Sequence, residues 1–529
     1  MKKIGDFWDA LARHAGRRPA VWLVLACWTF FAATAFRAGH SAYWLDELIT
    51  VHISALPAFP AVWNALRAGI DLNPPLQYAA VRASHAVFGA GHLATRLPML
   101  AGYLLLSVCL YLFLRKRVRP SLALAGMMLP WLAGTYRFAM EARPYGILLG
   151  CSGAALLCWS RAAEPGRRRA AALIGLWASL TAALLTHCYA VLLALPFGLA
   201  ELRRFAASRK PDWPMWLALA ASALPIASYP MLLGADKGQL NGLWPFHVTW
   251  LTAPQAYRSL LEPLFWPLVA AAALLLAARR SVPQEAAEPA SISPAEFTAL
   301  AGFALIPAAA VLMAAVTTKT FEPRYGAPGI VGIACLLPWA AARYAPRYSA
   351  RCGAVLAAVF FFCFAVTFGK QLEAALRPQP SIVRAAQPAA AAPAPSVPGF
   401  PLLSRVPSGP LPLVMASAAA FLEAGYYASP ELSARMYYVS DPEVALRRTG
   451  SSGLDCLLPK IGRMLAAPGH VEAAGPFLEE HRRFLVYYSG QFTEWMMPEL
   501  AARGWSARVI GREGVARLAE VTAPGSPAD

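Results

Sequence analysis

The chain has 529 residues, of which 58% are hydrophobic and only 14% are charged, and its mean hydropathy is +0.45. A soluble protein carries roughly 25% charged residues, so this composition excludes a chain that is soluble throughout. The net charge of +18 does not indicate nucleic-acid binding, because most Lys and Arg residues stand in short clusters between long apolar stretches. That spacing is typical of the cytoplasmic loops of a polytopic membrane protein.

Apolar stretches long enough to cross a bilayer, or nearly so, recur along residues 1–370. The first follows the basic segment Met1–Arg18, and because no convincing small-x-small cleavage site follows it, we interpret it as a retained span. A span needs roughly 17–25 residues, and we predict about eleven of them. The predicted spans are Ala20–Phe36, Leu97–Leu114, Leu122–Thr135, Tyr145–Ser160, Ala170–Leu185, Ala190–Leu202, Trp213–Leu233, Leu264–Ala278, Phe297–Val316, Ala327–Ala342 and Cys352–Phe368.

The stretch Leu76–Gly89 is apolar but brief, and it contains Arg82 and His85. Such a length predicts a helix that lies along the membrane surface. With this helix lying flat, all basic clusters fall on one side, which is therefore cytoplasmic. If it spanned the bilayer, the later clusters would face outward. The clusters are Lys2–Arg18, Arg115–Arg119, Arg167–Arg169, Arg203–Lys210, Arg279-Arg280 and Arg343–Arg351.

The same topology places the N-terminus in the cytoplasm and the C-terminal region outside it. Residues 371–401 are rich in Pro and Ala, which is typical of a semi-rigid linker. Residues 402–529 predict a small soluble α/β domain, to which the sequence assigns no role. Its predicted strands are Leu413–Ser417, Met436–Ser440, Phe484–Tyr488, Arg508–Ile510 and Val515–Val521, and its predicted helices are Ala418–Tyr427, Val471–His481 and Trp495–Arg503.

The loops on the outer side carry polar residues that membrane insertion does not require. Each group alone has an ordinary structural explanation, such as a solvated acid, a snorkelling arginine, a satisfied histidine or a turn that starts a helix. Their convergence on one face, opposite the basic clusters, is a more specific pattern. The groups are Asp46-Glu47 in the first outer loop (37–96), Asn73-Pro74-Pro75, Glu141-Ala142-Arg143-Pro144-Tyr145, Thr186-His187-Cys188-Tyr189 and Lys319–Tyr325 with Arg324.

Acids and cations on one face suit the transfer of a sugar from a lipid phosphate. The departing phosphate gains negative charge, and fixed cations stabilise that charge more in the transition state than in the ground state. Arginine meets phosphate oxygens with two parallel hydrogen bonds. A carboxylate can take the proton from the acceptor hydroxyl.

These motifs resemble those of the GT-C glycosyltransferases, in particular the branch that contains protein O-mannosyltransferases and the aminoarabinose transferase of lipid A. The resemblance covers roughly the first 370 residues and implies a GT-C-like membrane fold for them, which the predicted C-terminal α/β domain follows. It is carried by Asp46-Glu47, Asn73-Pro74-Pro75, Phe88-Gly89, Arg96-Leu97-Pro98, Glu141–Tyr145 and Pro323-Arg324-Tyr325.

The resemblance also implies roles for particular residues. Asp46 is the implied general base, and Glu47 beside it does orienting or structural work. The implied ligands of the donor phosphate are Arg143 and Arg324, with Lys319 matching loosely. We assign His187, Tyr189 and Tyr325 to the same phosphate-binding site. Asn73, Pro74, Pro75 and Glu141 form an implied acceptor-binding or structural loop, although the family often has His where this chain has Asn73.

We expect no metal and no other cofactor. The branch is described as metal-independent, and no Asp-x-Asp motif appears among the outer loops. The nine Cys residues are scattered and show neither CxxC nor Cys/His ligand spacing.

The sequence therefore predicts a multi-pass glycosyltransferase of the bacterial inner membrane, transferring a hexose or pentose from a polyprenyl-phosphate donor. The acceptor on the periplasmic face, whether lipid, glycan or protein, is left open. A transporter or flippase of lipid-linked sugars is the main alternative, but it would need ionisable residues near the bilayer midplane and internal repeats. An anchor for the C-terminal domain would need one span only. We expect Asp46, Arg143 and Arg324 to meet in one outer-face cavity.

Overall fold

The computed structural model describes residues 2–233, 248–279, 292–346, 349–376, 397–465, 468–491 and 493–525. Most of the linker predicted at 371–401 lies outside these residues, as does Arg280 of one basic cluster.

Most of the described chain is α-helical. The helices are α1 (Lys2–Arg17), α2 (Pro19–His40), α3 (Leu45–Ala55), α4 (Phe59–Arg67), α5 (Leu76–Phe88), α6 (His92–Leu114), α7 (Pro120–Leu132), α8 (Tyr145–Ala162), α9 (Arg169–Leu184), α10 (Ala194–Ser208), α11 (Trp213–Ser222), α12 (Tyr229–Leu233), α13 (Thr252–Leu261), α14 (Phe265–Arg279), α15 (Pro294–Val316), α16 (Gly329–Tyr344), α17 (Ser349–Leu376), α18 (Ala418–Tyr427), α19 (Pro430–Ser433), α20 (Pro442–Thr449), α21 (Gly453–Met464), α22 (Ala474–Glu480) and α23 (Met496–Ala502).

The chain divides into two compact units. The helical unit contains residues Met1–Ser41, Asn73–Pro230 and His247–Ala374. The α/β unit contains Ala42–Leu72, Met231–Phe246 and Ala375–Asp529. The α/β unit therefore includes α3 and α4 of the first outer loop together with the C-terminal residues.

The predicted apolar spans of the helical unit are helical in the structure. Among the described residues, five helical segments are long and apolar enough to cross a bilayer when α11 and α12 are counted as one segment, and the bent pair α13 and α14 would make a sixth. Three further helices, α7, α9 and α16, are apolar but shorter. The polytopic helical fold is thus confirmed, whereas the number of about eleven spans stays a prediction.

Glycine allows α6 and α8 to pack with their backbones in contact. A Cβ atom at Gly150 would overlap the carbonyl oxygen of Gly102, and one at Gly146 would overlap that of Met99. Small residues four positions apart commonly permit this close approach in membrane helices. Since Tyr145 begins α8, the same packing fixes the start of that helix.

We expect Gly150→Ala to destabilise the protein by about 1–3 kcal/mol, because the added methyl group meets backbone that cannot rotate away. The matched control is Gly198→Ala in α10, where nothing lies within 4 Å of the added carbon. That change should stabilise its helix by up to about 1 kcal/mol. Thermal unfolding in detergent measures both, and equal Tm values for the two variants would contradict the packing described.

Not every basic residue of the predicted cytoplasmic clusters is solvated. Arg117 is buried, forms an ion pair with Glu296 of α15 and donates to the Ser160 hydroxyl at 2.6 Å. Glu201 of α10 is likewise buried and accepts from the Trp159 indole at 2.7 Å and from Arg204. Buried charges that are paired in this way fix helix ends against one another.

The α/β unit contains a six-stranded sheet in the order β3-β2-β1-β4-β6-β5. The first four strands in that order are parallel, and β6 and β5 add to the edge as an antiparallel hairpin. Buried side chains such as Val414, Phe484 and Val521 form its core. The strands are β1 (Leu413–Met415), β2 (Met436–Ser440), β3 (His470–Ala473), β4 (Arg483–Tyr488), β5 (Ser506–Glu513) and β6 (Ala516–Thr522).

The predicted α/β fold of the C-terminal region is confirmed, with corrections in detail. The predicted helix at 471–481 is wrong in its first part, where His470–Ala473 forms β3 and pairs with β2. Tertiary pairing outweighs local preference for so short a segment. Helices α20 and α21, between β2 and β3, were not predicted.

Candidate active site

Four aromatic residues from three separate predicted motifs pack together in the helical unit. The His187 ring lies 5.1 Å from Tyr145, 5.7 Å from Tyr325 and 5.9 Å from Tyr189, measured between ring centroids. Tyr189 and Tyr325 stack at 4.5 Å. The starts of α8 and α16 and the short turn after α9 thus meet at one place, which we call the His187 cluster.

Hydrogen bonds determine which nitrogen of His187 carries the proton. The Tyr189 backbone N–H donates to Nδ1 at 3.1 Å, so Nδ1 is an acceptor. The proton of the neutral ring therefore lies on Nε2, which donates to the Tyr145 hydroxyl at 3.3 Å. Because the Tyr145 oxygen accepts this hydrogen bond, the proton of the Tyr145 hydroxyl points away from His187.

Two arginines adjoin the His187 cluster. The Arg324 guanidinium lies 6.0 Å from the centre of the Tyr145 ring, and its Nε is 3.6 Å from a carboxylate oxygen of Glu322. Arg143 precedes Tyr145 by two residues and is only 7% exposed. Its backbone N–H donates to the Glu141 carbonyl at 2.7 Å, which closes a tight turn. Cationic side chains held in this manner are suited to an anionic ligand.

Two phenols of the cluster, Tyr189 and Tyr325, are protonated at neutral pH. Burial raises the pKa of Tyr325 well above its usual value, with the Arg324 charge opposing that change. Burial also raises the pKa of Tyr189. Both groups can therefore donate hydrogen bonds but not accept protons as bases.

The Asn73-Pro74-Pro75 motif lies beside the turn that carries His187. The backbone N–H of Leu76, which begins α5, donates to the carbonyl of Leu185 at 2.9 Å. Asn73 and Pro74 are buried. The structure therefore brings this motif, the Glu141 turn and the His187 cluster together in the helical unit.

Lys319 lies three residues beyond the end of helix α15. Its backbone is left-handed, with φ of 61°, its N–H donates to the Ala314 carbonyl at 2.8 Å, and its ammonium donates to the Ala315 carbonyl at 2.7 Å. A left-handed residue and a cation are both common at helix C-termini. The geometry gives Lys319 a capping role, and its contact with a phosphate stays a prediction.

We expect Lys319→Gly to change the free energy of unfolding by less than about 1 kcal/mol, because glycine adopts the left-handed conformation without strain. The transfer rate should fall less than about tenfold if Lys319 only caps the helix. A folded variant that loses about a hundredfold or more in rate would instead restore the phosphate contact. Steady-state kinetics alongside thermal unfolding decide between the two.

The acidic pair begins helix α3 in the α/β unit. Glu47 is 1% exposed, and its carboxylate accepts the Trp44 backbone N–H at 3.4 Å, so it caps the helix to which it belongs. Asp46 is partly exposed, and its carbonyl accepts from the Thr50 hydroxyl at 3.3 Å. The two acids thus differ in environment, although they are adjacent in sequence.

The C-terminal residues contact α3 within the same unit. The Leu45 N–H donates to a carboxylate oxygen of Glu423 at 2.9 Å, and the Tyr43 N–H donates to the Tyr427 hydroxyl at 2.8 Å. Tyr426 packs edge-on against Tyr43 at 5.6 Å. Burial raises the pKa of Glu423, and the hydrogen bond from Leu45 opposes that rise.

The sequence predictions and the structure therefore correspond in part. Arg143, Arg324, His187, Tyr189 and Tyr325 lie together in the helical unit, and Asp46 with Glu47 lies in the α/β unit. The predicted meeting of Asp46 with the two arginines stays a prediction. Two residues beside the predicted set were not foreseen, namely Glu423 and Tyr427. Glu322 stood in a predicted motif but was given no role of its own.

A family model matches part of the helical region. The model for dolichyl-phosphate-mannose-protein mannosyltransferases matches residues 72–233. That range includes the Asn73, Arg143 and His187 motifs. No curated protein sequence matches the chain significantly.

Two crystal structures of ArnT from Cupriavidus metallidurans share the fold. The match to the apo structure covers 95% of this chain and 98% of the ArnT chain, at 14% identity and a TM-score of 0.57. The structure bound to undecaprenyl phosphate covers 96% and 99%, at 14% identity and a TM-score of 0.56. The match to the protein O-mannosyltransferase Pmt1-Pmt2 complex of S. cerevisiae covers 46% of this chain and 36% of the matched yeast chain, at 15% identity and a TM-score of 0.32.

The family model and the two ArnT structures confirm the predicted resemblance to GT-C glycosyltransferases. The fold is that of ArnT over nearly the whole chain, including the C-terminal domain. The predicted glycosyltransferase class is confirmed by the family model and this fold together.

Proposed function

We propose that this chain transfers a sugar from a polyprenyl-phosphate donor to an acceptor on the periplasmic face of the bacterial inner membrane. The observation that carries the proposal is the His187 cluster with Arg143 and Arg324 beside it. A cluster of cations, phenols and an imidazole at the starts of apolar helices offers hydrogen-bond donors to a lipid phosphate. Undecaprenyl phosphate is bound by one of the two ArnT structures, which supports this class of donor.

The proposed roles follow from chemistry. Arg324 and Arg143 hold the donor phosphate and stabilise its growing charge as the glycosidic bond breaks. Tyr325 and Tyr145 donate or relay hydrogen bonds around that phosphate, with His187 fixing Tyr145. Asp46 accepts the proton of the acceptor hydroxyl as it attacks the sugar. The Asn73 and Glu141 loops line the acceptor side or support the cluster.

We also propose the arrangement of the chain in the membrane. Residues 1–370 form the membrane domain with a cytoplasmic N-terminus and a first outer loop at 37–96, and residues 371–401 connect it to the rest. Residues 402–529 form an extracytoplasmic domain. The positions of the basic clusters support this orientation.

The proposal is tested with the purified full chain in detergent or proteoliposomes. Candidate donors are polyprenyl phosphates that carry a radiolabelled hexose or pentose, and candidate acceptors are lipid, glycan and protein fractions. We expect one donor to release stoichiometric polyprenyl phosphate as its sugar appears in one acceptor fraction. Movement of an intact lipid-linked sugar between leaflets, with no release of the lipid phosphate, would instead establish the flippase alternative.

A further inference from the structure

We propose that Glu423 and Tyr427 of the C-terminal domain position the proposed base Asp46 by anchoring the first turn of helix α3. The inference rests on the proposed function, because it assigns these residues a part in the same reaction. It gives the C-terminal domain a role in catalysis without any contact between that domain's residues and the reacting atoms.

The N-cap residue of helix α3 supplies no side-chain acceptor to the first turn of the helix. The N-cap position is Trp44, whose indole N–H can donate a hydrogen bond but offers no acceptor to the helix. Ser, Thr, Asp or Asn usually occupies this position and satisfies the first N–H groups. The backbone at the start of α3 therefore takes its acceptors from elsewhere.

Side-chain acceptors are present for the backbone N–H groups of three consecutive residues. The N–H groups of Tyr43, Trp44 and Leu45 donate to Tyr427, Glu47 and Glu423 respectively. Two of the three acceptors come from the C-terminal domain, 384 and 378 residues further along the chain. A carboxylate at a helix N-terminus is also favoured by the helix dipole. Since Asp46 follows Leu45 directly, the anchored peptide fixes its Cα position.

The anchoring residues are held by the sheet. Helix α18, which carries both of them, follows β1 and buries Phe421 and Leu422. The Phe421 ring contacts Tyr438 of β2 at 6.0 Å. Tyr426 packs against Tyr43 and also against His52, at 5.6 and 6.2 Å, so α18 contacts α3 near both of its ends. The parallel sheet is thus connected to Asp46 through one helix and two hydrogen bonds.

A positioning role for Glu423 predicts a loss of kcat, whereas a purely structural role predicts a loss of stability. We expect Glu423→Ala to lower kcat by up to about a hundredfold, since a small misplacement of a catalytic group can have that effect. The KM for the polyprenyl-phosphate donor should change little, because Glu423 does not bind it. Glu423→Gln keeps an acceptor oxygen for Leu45 and should recover most of the lost kcat. Tyr427→Phe, which removes only a hydroxyl group, should lower kcat in the same manner but less.

The measurements are steady-state kinetics and amide hydrogen exchange over the peptides that cover residues 42–50, made on the full chain. We expect faster exchange there in Glu423→Ala, and exchange at the parent rate in Glu423→Gln and in the control Glu479→Ala, whose carboxylate is exposed on α22. Parental kcat in a folded Glu423→Ala protein would overturn the inference. If Glu423→Ala does not fold, parental kcat and exchange in Tyr427→Phe would overturn it equally.

The result that would refute the proposed function differs from the result that would refute only the positioning role of Glu423. A parent chain that transfers sugar while Glu423→Ala retains full kcat refutes the positioning role alone. A parent chain that releases no polyprenyl phosphate from any donor refutes the proposed function, whatever the exchange data show.

Discussion

Asp46→Asn should lower the rate of sugar transfer by roughly a hundred- to ten-thousand-fold while the protein stays folded. A sugar or protein hydroxyl is a poor nucleophile until a base takes its proton. Asparagine keeps the shape of the side chain and can still form hydrogen bonds, but it cannot accept a proton at neutral pH. Asp46 is partly exposed at the start of α3, where an acceptor molecule can reach it.

The adjacent acid provides the discriminating comparison. Glu47 is buried and its carboxylate accepts the Trp44 N–H, a role that Gln can also fill. We therefore expect Glu47→Gln to lose far less activity than Asp46→Asn. Asp71→Asn removes another carboxylate from the same outer loop and controls for the change in charge. If Glu47→Gln were inactive and Asp46→Asn nearly as active as the parent, the two assignments would be exchanged.

Arg324→Ala should lower the transfer rate by roughly a hundred- to a thousandfold, which corresponds to about 3–4 kcal/mol of lost transition-state stabilisation. The side chain is 17% exposed and is held between Glu322 and the Tyr145 ring. A charge fixed in this way needs little reorganisation when the phosphate gains negative charge. Arg324→Lys keeps the charge but loses the planar fork, so it should recover only part of the rate.

The matched control for Arg324 is Arg258→Ala. Arg258 also carries an ion pair, with Glu262 at 3.3 Å, but its side chain is 62% exposed. An exposed pair of this kind is worth roughly 0–1 kcal/mol, so its loss should leave the transfer rate nearly unchanged. Equal and small effects in the two variants, measured by release of polyprenyl phosphate, would mean that Arg324 only anchors a helix end in the membrane interface.

The helical fold could be predicted from sequence because hydrophobicity acts locally. Most of the predicted spans are uninterrupted apolar runs, and these runs reappear as helices such as α6 and α15. The packing of one helix against another is harder to predict. The close approach of Gly150 to the Gly102 backbone, for example, depends on which helices become neighbours. The short strand β3 was mistaken for helix for the same reason, because only its pairing with β2 defines it.

The candidate site was predictable where its residues stood in compact motifs. Arg143 with Tyr145, His187 with Tyr189, and Arg324 with Tyr325 each lie two residues apart or fewer, and the structure packs the three pairs together. Lys319 shows the limit of this reasoning, because its left-handed backbone and its bond to Ala315 appear only in three dimensions.

The contacts of Glu423 and Tyr427 with the first outer loop could not be predicted from the local sequence of α18. Nothing in their local sequence differs from an ordinary amphipathic helix, and their partners lie more than 370 residues away in the first outer loop. The available signal was at the start of α3, because a Trp at the N-cap offers no side-chain acceptor to the first backbone N–H groups. Such a helix start indicates that acceptors come from other residues.

The division of work between the proposed base and the proposed phosphate ligands can be tested by binding. Labelled polyprenyl phosphate would be titrated, without acceptor, into the parent chain, Asp46→Asn and Arg324→Ala, each checked for parental thermal unfolding. We predict that Asp46→Asn binds the lipid phosphate with the parent's Kd although it is nearly inactive, and that Arg324→Ala binds it distinctly more weakly. Parental binding by Arg324→Ala together with loss of binding by Asp46→Asn would contradict the assignment of the arginines to phosphate and of Asp46 to proton transfer.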